Sequence, residues 1–188
     1  MQQATQILRQ EHEVILGVLD ATEKTANAIE SGSTVPAEVL QGTVDFLRRF
    51  ADAQHHGKEE DHLFPKLRQS LPMAGGSVSM MLMEHQVGRS HIARMAAAAK
   101  SHAEGNLAAG AEWADAALYY AALLREHIYK ENNILFAMAE QVLTPCEQEQ
   151  LASAFAEVDA QKIGDAEGKR LLQIAENLCA QAVGVASR

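Results

Sequence analysis

Apolar residues recur every three to four positions along most of the chain, which is the period of an amphipathic α-helix. Five such stretches are predicted, and residues that end helices separate them. They cover residues 3–31, 36 to about 69, about 77–104, about 107–142 and about 144–183. No stretch alternates apolar and polar residues over more than a few positions, so no strand is predicted.

The breaks between these stretches carry turn and capping residues. Ser31-Gly32-Ser33 ends the first stretch, and the loop 71–76 follows the second. Pro65 predicts a kink or a break near the end of the second helix. Thr144, directly before a proline, is a candidate N-cap for the fifth stretch. Gly164 is expected to divide that fifth stretch into two parts.

Four long helices with short connections predict an all-α fold, an up-down-up-down four-helix bundle. The bundle covers about residues 3–142, and the additional C-terminal helical segment at about 144–183 packs alongside it. Together they are expected to form a single domain over residues 1–188. The chain has 188 residues, of which 47% are hydrophobic and 22% charged, and this composition is typical of a globular protein.

Charge and hydropathy exclude several classes of function. The net charge of -9, with no run rich in Lys or Arg, argues against a nucleic-acid partner. No apolar run is long enough to span a membrane, and the first residues do not resemble a secretory signal. Cys146 and Cys179 do not form a disulfide framework. A cytoplasmic protein without a membrane partner is therefore expected.

A histidine followed four residues later by a glutamate occurs on two of the predicted helices. The second helix carries His55-His56-Gly57-Lys58-Glu59, and the fourth carries His127-Ile128-Tyr129-Lys130-Glu131. Positions i and i+4 are neighbours on a helix, about 5–6 Å apart at Cβ. Both pairs share the apolar face of their helix, with Val44 on one and with Leu124 and Ile134 on the other. Each helix can therefore bring one imidazole and one carboxylate to the same cation.

The two glutamates of these motifs point to metal rather than to ordinary packing. Ionised carboxylates on a buried face are costly unless they are paired or bind a metal. A pair of divalent cations about 3.5–4 Å apart would neutralise Glu59 and Glu131, and bridging carboxylates can span that distance. Mixed imidazole and carboxylate ligation suits iron, and it admits zinc or manganese.

Further histidines extend the predicted ligand set. His12 and His85 lie on the apolar faces of the first and third helices, so all four helices present one inward histidine. His56 lies about 100° round the helix from His55; it could supply a fifth nitrogen or be solvated. The remaining histidines are expected at the surface: His62, His91 and His102. Glu60 is expected to be solvated, and Tyr120 is expected in the core rather than as a donor to a ligand.

Four stretches, in order, resemble the hemerythrin-like, or HHE cation-binding, family: residues 9–12, 50–65, 81–85 and 124–136. The resemblance implies that the histidines bind two iron ions, joined by an oxo or hydroxo bridge. It also implies that the glutamates of the two motifs bridge these ions. The ligands implied in this chain are His12, His55, Glu59, His85, His127 and Glu131.

The chain departs from the oxygen-carrying hemerythrins at one position. Those proteins have a second histidine one turn after the third-helix histidine, where this chain has Arg89. The iron-sensing F-box relative of the family has an extra ligand directly after the second-helix histidine, and His56 holds that position here. His56 is therefore predicted as a fifth nitrogen ligand, and the pattern does not favour simple reversible oxygen carriage.

Three functions are compatible with this pattern. The first is a cytoplasmic di-iron protein that binds or senses dioxygen, nitric oxide or peroxide, or that handles iron. The second is a di-iron enzyme that decomposes peroxide, as catalases do, or carries out another oxidation. The third is a metal-stabilised module that docks a partner protein. The expected partner is a small diatomic molecule or peroxide, and the sequence leaves a homo-oligomer open.

Overall fold

The computed structural model describes residues 3–185, and within this range the chain is helical between short connections. The helices are α1 (Ala4–Glu30), α2 (Ala37–Phe46), α3 (Phe64–Ser70), α4 (Gly75–Ala103), α5 (Ala109–Lys130), α6 (Phe136–Val142), α7 (Pro145–Val158) and α8 (Asp165–Val185). No strand occurs among the described residues. The predicted all-α class is therefore confirmed.

π-helical turns join α2 to α3 and α5 to α6 without interrupting the helix. They cover Leu47–His56 and Glu59–Leu63 in the first case and Glu131–Leu135 in the second. The bundle thus has four long helices, close to the predicted ones. The helix is not broken at Pro65, because the π-helical turn Glu59–Leu63 runs directly into α3, which continues to Ser70. The alternative, a kink at Pro65, stays a prediction.

Two apolar clusters fill the bundle and leave a layer between them. One contains Leu8, Phe64 and Phe136, and the other contains Phe46 and Trp113. Each of the four long helices contributes residues to both clusters, and the predicted ligands fall between these contributions. The predicted ligands therefore lie in a layer with an apolar cluster on each side along the bundle axis.

The C-terminal segment, α7 and α8 with the turn between them, begins with a capping box. The Thr144 hydroxyl accepts the Glu147 backbone N–H at 3.3 Å, while the Thr144 N–H donates to the Glu147 carboxylate at 2.9 Å. Gly164, at φ +72°, ends the π-helical turn Asp159–Ile163 in a conformation that favours glycine. The predicted division at Gly164 is confirmed, and α7 and α8 pack against α1 and α2.

None of the helices in the described range is both long and apolar enough to cross a membrane.

Candidate metal centre

All seven residues predicted as ligands lie buried in the layer between the two apolar clusters, and none is more than 3% exposed. They are His12, His55, His56, Glu59, His85, His127 and Glu131. Their ligand atoms form two groups, and within each group these atoms lie no more than 4.8 Å from one another. Site A consists of His12, His55, Glu59 and Glu131; site B consists of His56, His85, His127 and Glu59.

Each glutamate turns one oxygen toward each site. Glu59 Oε1 lies 3.5 Å from His55 Nε2, and Glu59 Oε2 lies 3.6 Å from His85 Nε2. Glu131 Oε2 lies 3.3 Å from His12 Nε2, and Glu131 Oε1 lies 3.2 Å from His127 Nε2. Both carboxylates therefore have the arrangement of a bridge between two cations.

The carboxylate oxygens show that these residues fit a metal pair. All four oxygens of Glu59 and Glu131 are buried and have no hydrogen-bond partner among the described residues. Burying such groups without a partner is costly, and native proteins rarely leave them so. Burial, and then the charge of Glu131, raises the pKa of Glu59 well above its usual value. Burial raises the pKa of Glu131 too, but His127 and His12 outweigh it and leave that pKa lowered, so Glu59 is the uncompensated carboxyl group. A cation between the two carboxylates would remove the cost of burying Glu59 ionised.

The imidazoles also present their Nε2 atoms to the centre in close pairs. His12 Nε2 lies 2.9 Å from His55 Nε2, and His85 Nε2 lies 3.0 Å from His127 Nε2. Two lone pairs at this distance repel each other unless a proton or a metal ion lies between them. The inward Nε2 atoms therefore suit a metal at each site.

The Nδ1 atoms of these four histidines point outward to hydrogen-bond acceptors. His55 Nδ1 donates to Glu11 at 2.8 Å, His85 Nδ1 to Glu60 at 2.7 Å, and His127 Nδ1 to Glu84 at 2.9 Å. His12 Nδ1 donates to the side-chain oxygen of Asn132 at 2.9 Å. Outer partners of this kind fix the imidazole tautomer and orient it toward the metal.

Each outer carboxylate is in turn held by a cation. Lys58 pairs with Glu11 and Lys130 with Glu84, while Arg89 donates to Glu60 at 2.7 Å. Burial raises the pKa of Glu11 and of Glu60, but the histidine and the cation beside each carboxylate outweigh it and leave the pKa lowered. The hydrogen bond from His127 lowers the pKa of Glu84. All three carboxylates are therefore ionised acceptors near neutral pH.

The imidazoles differ in charge. Burial, and then the neighbouring His12, lowers the pKa of His55 to about 4. Burial lowers the pKa of His56 well below its usual value as well. Burial also lowers the pKa of His127, but the charge of Glu131 and the hydrogen bond to Glu84 raise it to about 9. Neutral imidazole is the form that binds metal, so a metal at site B would take the place of any proton on His127 Nε2.

With this geometry described, comparison with known proteins gives a consistent result. The family model of the hemerythrin HHE cation-binding domain matches residues 3–139.

The chain belongs to the hemerythrin HHE cation-binding family.

The resemblance seen in the sequence is thereby confirmed, and so is cation binding as the general property of this hemerythrin domain. It is similar to the uncharacterised protein Rv1995 of Mycobacterium tuberculosis (strain ATCC 25618 / H37Rv) and to the uncharacterised protein Mb2018 of Mycobacterium bovis. Each is 25% identical over 163 residues, which are 87% of this chain and 64% of the relative. The chain thus spans somewhat less than two thirds of the length of these relatives. No solved structure matches it.

His56 lies in site B of the hemerythrin domain, as the predicted fifth nitrogen should. Its ring stacks on His85 with 3.8 Å between centroids, and its Nδ1 lies 3.4 Å from Asp52. In a regular α-helix it would lie about 100° from His55. Both residues fall in the π-helical turn Leu47–His56, where more residues share a turn and consecutive side chains lie closer in angle. The turn therefore lets two consecutive histidines face the centre.

Four of the expectations for neighbouring residues need comment. Glu60 is not simply solvated, because it accepts hydrogen bonds from His85 and Arg89. His91 is buried against Tyr119 rather than lying at the surface. Ile134 is 46% exposed and does not share the face of His127, because the π-helical turn Glu131–Leu135 changes the angle between successive side chains. Tyr120 is fully buried and its hydroxyl bonds to no described residue, so the core prediction is confirmed.

The outer partners were missed by the sequence analysis, although a repeat marks them. The residue before His12 and before His85 is a glutamate, and each of these glutamates accepts from the histidine of the next long helix. The residue before each bridging glutamate is a lysine, Lys58 or Lys130, which pairs with that outer glutamate. Glu-His dipeptides on the first and third helices and Lys-Glu dipeptides on the second and fourth could have indicated these partners, although a third Glu-His, Glu126-His127, has an exposed glutamate.

Proposed function

We propose that this hemerythrin domain holds two iron ions and binds dioxygen, nitric oxide or peroxide there, in the cytoplasm. The observation that carries the proposal is the pair of buried carboxylates, whose four oxygens have no hydrogen-bond partner in the described chain and face both groups of histidines. Bound iron would supply redox chemistry and open coordination positions for a small ligand. The donors of this centre are imidazole nitrogens and carboxylate oxygens, without a thiolate, and this combination suits iron.

The two sites differ in the number of protein donors. Both share the oxygens of Glu59 and Glu131, but site A has two imidazoles whereas site B has three. The metal with fewer protein donors keeps more of its coordination positions for an external ligand. Site A is therefore the proposed place where the small molecule binds.

The surrounding side chains keep water and large molecules away from the centre. The Phe136 ring stacks on His12 at 5.5 Å between centroids, and the Phe64 ring lies 5.9 Å from that of His85. Both phenylalanines are essentially unexposed. An apolar shell of this kind controls solvent access and tunes the potential of a metal site, which favours a small uncharged ligand.

Iron content and the ligand response test this proposal. The purified chain, reconstituted with ferrous iron under nitrogen, should bind about two equivalents, and its absorption spectrum should change on addition of dioxygen, nitric oxide or peroxide. The His12→Ala variant should lose much of this response, whereas His62→Ala, outside the centre, should keep it. The proposal is contradicted if the absorption spectrum of the reconstituted chain does not change on addition of any of the three molecules.

The same experiment separates the alternatives. Sustained release of dioxygen from peroxide would point to an enzyme of the catalase type. A chain that keeps its fold without metal and shows no spectral response to any of the three molecules would support the third function, a metal-stabilised interaction module.

A further inference from the structure

The C-terminal segment, residues 145–185, lies outside the part of the chain that the family model matches. One of its residues nevertheless reaches the inner part of the centre. Asp159 Oδ1 lies 2.7 Å from Lys58 Nζ. The same lysine pairs with Glu11, and Glu11 accepts the Nδ1 hydrogen of His55. A chain of charged groups therefore joins the segment to a predicted ligand of site A.

The link joins a buried lysine to an aspartate whose side chain is 42% exposed. Lys58 is 0% exposed, so the two carboxylates beside it replace the contacts that water would otherwise make. The Asp159 oxygen that meets Lys58 also accepts a hydrogen bond from Gln54 at 2.7 Å. The ring of Phe155, from α7, covers Lys58 with 6.0 Å between the ammonium nitrogen and the ring centroid. The segment thus supplies both a counter-charge and a cover for this lysine.

The corresponding lysine of site B has no such support. Lys130 pairs with Glu84, which accepts from His127, but its side chain is 29% exposed. No second carboxylate in residues 3–185 forms an ion pair with it. Water can therefore stabilise Lys130, whereas Lys58 has Asp159 in place of water.

We propose that Asp159, acting through Lys58 and Glu11, is a positioning residue that holds the His55 imidazole toward the metal of site A. This inference rests on the proposed metal centre but not on the small molecule that the centre binds. Without Asp159, the buried ammonium would have one carboxylate partner instead of two. It would move toward solvent and release Glu11, and His55 would lose its fixed orientation.

Cobalt titration of the full chain tests the proposal. Asp159→Asn should weaken one of the two Co²⁺ equivalents about 10-fold, at the lower end of the range for outer partners of metal ligands, and leave the other unchanged. Lys162→Gln is the matched control, because Lys162 belongs to the same π-helical turn but pairs with Asp61 on the second helix and not with Lys58 or Glu11. Lys162→Gln should leave both equivalents within about twofold of the parent chain.

A second measurement reports on the imidazole itself. In the Zn²⁺-loaded chain, the NMR resonance of the His55 Nδ1 hydrogen should shift and exchange faster with solvent in Asp159→Asn, while that of His127 should not change. Lys58→Met should have the same effect, and adding Asp159→Asn to it should change little more, because both act on one path. A purely structural role would disturb the two histidines alike or neither of them.

The outcomes are distinct. Unchanged cobalt affinities and an unchanged His55 resonance in Asp159→Asn overturn the positioning role and leave the proposed function untouched. If Asp159→Asn weakens one cobalt equivalent as expected, but the iron-loaded chain does not respond to dioxygen, nitric oxide or peroxide, the positioning role is supported and the proposed function is overturned. A parent chain that binds fewer than two cobalt equivalents overturns both.

Discussion

The first helix pair, α1 with the helix that contains α2 and α3, and the second helix pair, α4 with the helix that contains α5 and α6, build the same half-site twice. Each contributes a Glu-His dipeptide, a His-x-x-x-Glu motif with lysine before the glutamate, and a phenylalanine five residues after it. Glu11 accepts a hydrogen bond from His55, as Glu84 does from His127. Phe136 covers His12 as Phe64 covers His85. Because of this repeat, the two carboxylates face both groups of histidines in the same way.

The differences between the two pairs make the sites chemically unequal. His56 of the first pair corresponds to Ile128 of the second, so one extra imidazole reaches site B. Glu60 corresponds to Asn132, so His85 has a charged outer partner and His12 a neutral one. The comparison teaches that the repeat supplies two groups of candidate ligands, whereas the exceptions make the two groups unequal in their donors.

The largest effect should come from the residues that both helix pairs share. Glu59→Gln and Glu131→Gln each remove a charge that faces both sites, so either change should weaken both metal equivalents by more than about 100-fold, beyond the range of outer partners. Isothermal titration with Co²⁺ measures this loss. Glu126→Gln, an exposed change beside His127, serves as the control. Loss of a single equivalent would show that the carboxylates do not bridge.

The second prediction exchanges the residues that break the repeat. His56→Ile places the side chain of the second pair into the first, and it should weaken the metal of site B at least about 10-fold because a nitrogen donor is lost. Ile128→His should bring an imidazole toward site A and reduce the binding of nitric oxide to the iron-loaded chain. Absorption spectroscopy measures both effects. Nitric oxide binding unaffected by Ile128→His would mean that the small molecule does not bind at site A.

The third prediction concerns the outer partner of His12. Asn132→Asp would give this histidine a carboxylate partner, as His85 already has, and the carboxylate would make the imidazole a stronger donor. Metal affinity at site A should rise by up to about 10-fold, and the reduction potential of the iron-loaded chain should fall. Asn133→Asp, an exposed neighbouring change, is the control. Weaker binding would mean that the added charge is not compensated by the nearby Arg9.

The smallest effect concerns the segment that covers the first pair alone. Hydrogen bonds from Lys66 and Thr144 lower the pKa of Glu147 to about 2, from about 4.5. Its contribution to stability is therefore complete above pH 4.5 and is lost as the pH falls toward 2. The difference in unfolding temperature between the metal-free parent and Glu147→Gln should shrink over this range. A difference in unfolding temperature that stays constant with pH, or one that Glu149→Gln reproduces, would show that the capping box does not stabilise the fold.

The sequence predicts what depends on one helix at a time. Apolar periodicity gives the four long helices, and the spacing of four residues places His55 with Glu59 and His127 with Glu131 on inward faces. A helical wheel assumes regular α-helix, so it placed Ile134 on the wrong face and left His56 undecided, since both lie in π-helical turns.

Contacts between helices could not be predicted in the same way. Glu60 looks solvated on its own helix, because its partners His85 and Arg89 come from α4. Asp159 lies about 100 residues beyond Lys58, and no local pattern connects the two. The metal-binding role of the seven predicted ligands remains a prediction, although the structure brings all of them together.

The distribution of the inward histidines between the two helix pairs has a consequence for the order of assembly. His12 and His55, which face each other, are separated by 43 residues, and His85 and His127 by 42. Each of these meetings requires the closure of one helical hairpin, and loops of this length close quickly. If the centre holds cations as proposed, either hairpin alone carries two imidazoles and one carboxylate for one of them, and docking of the two hairpins adds the second carboxylate.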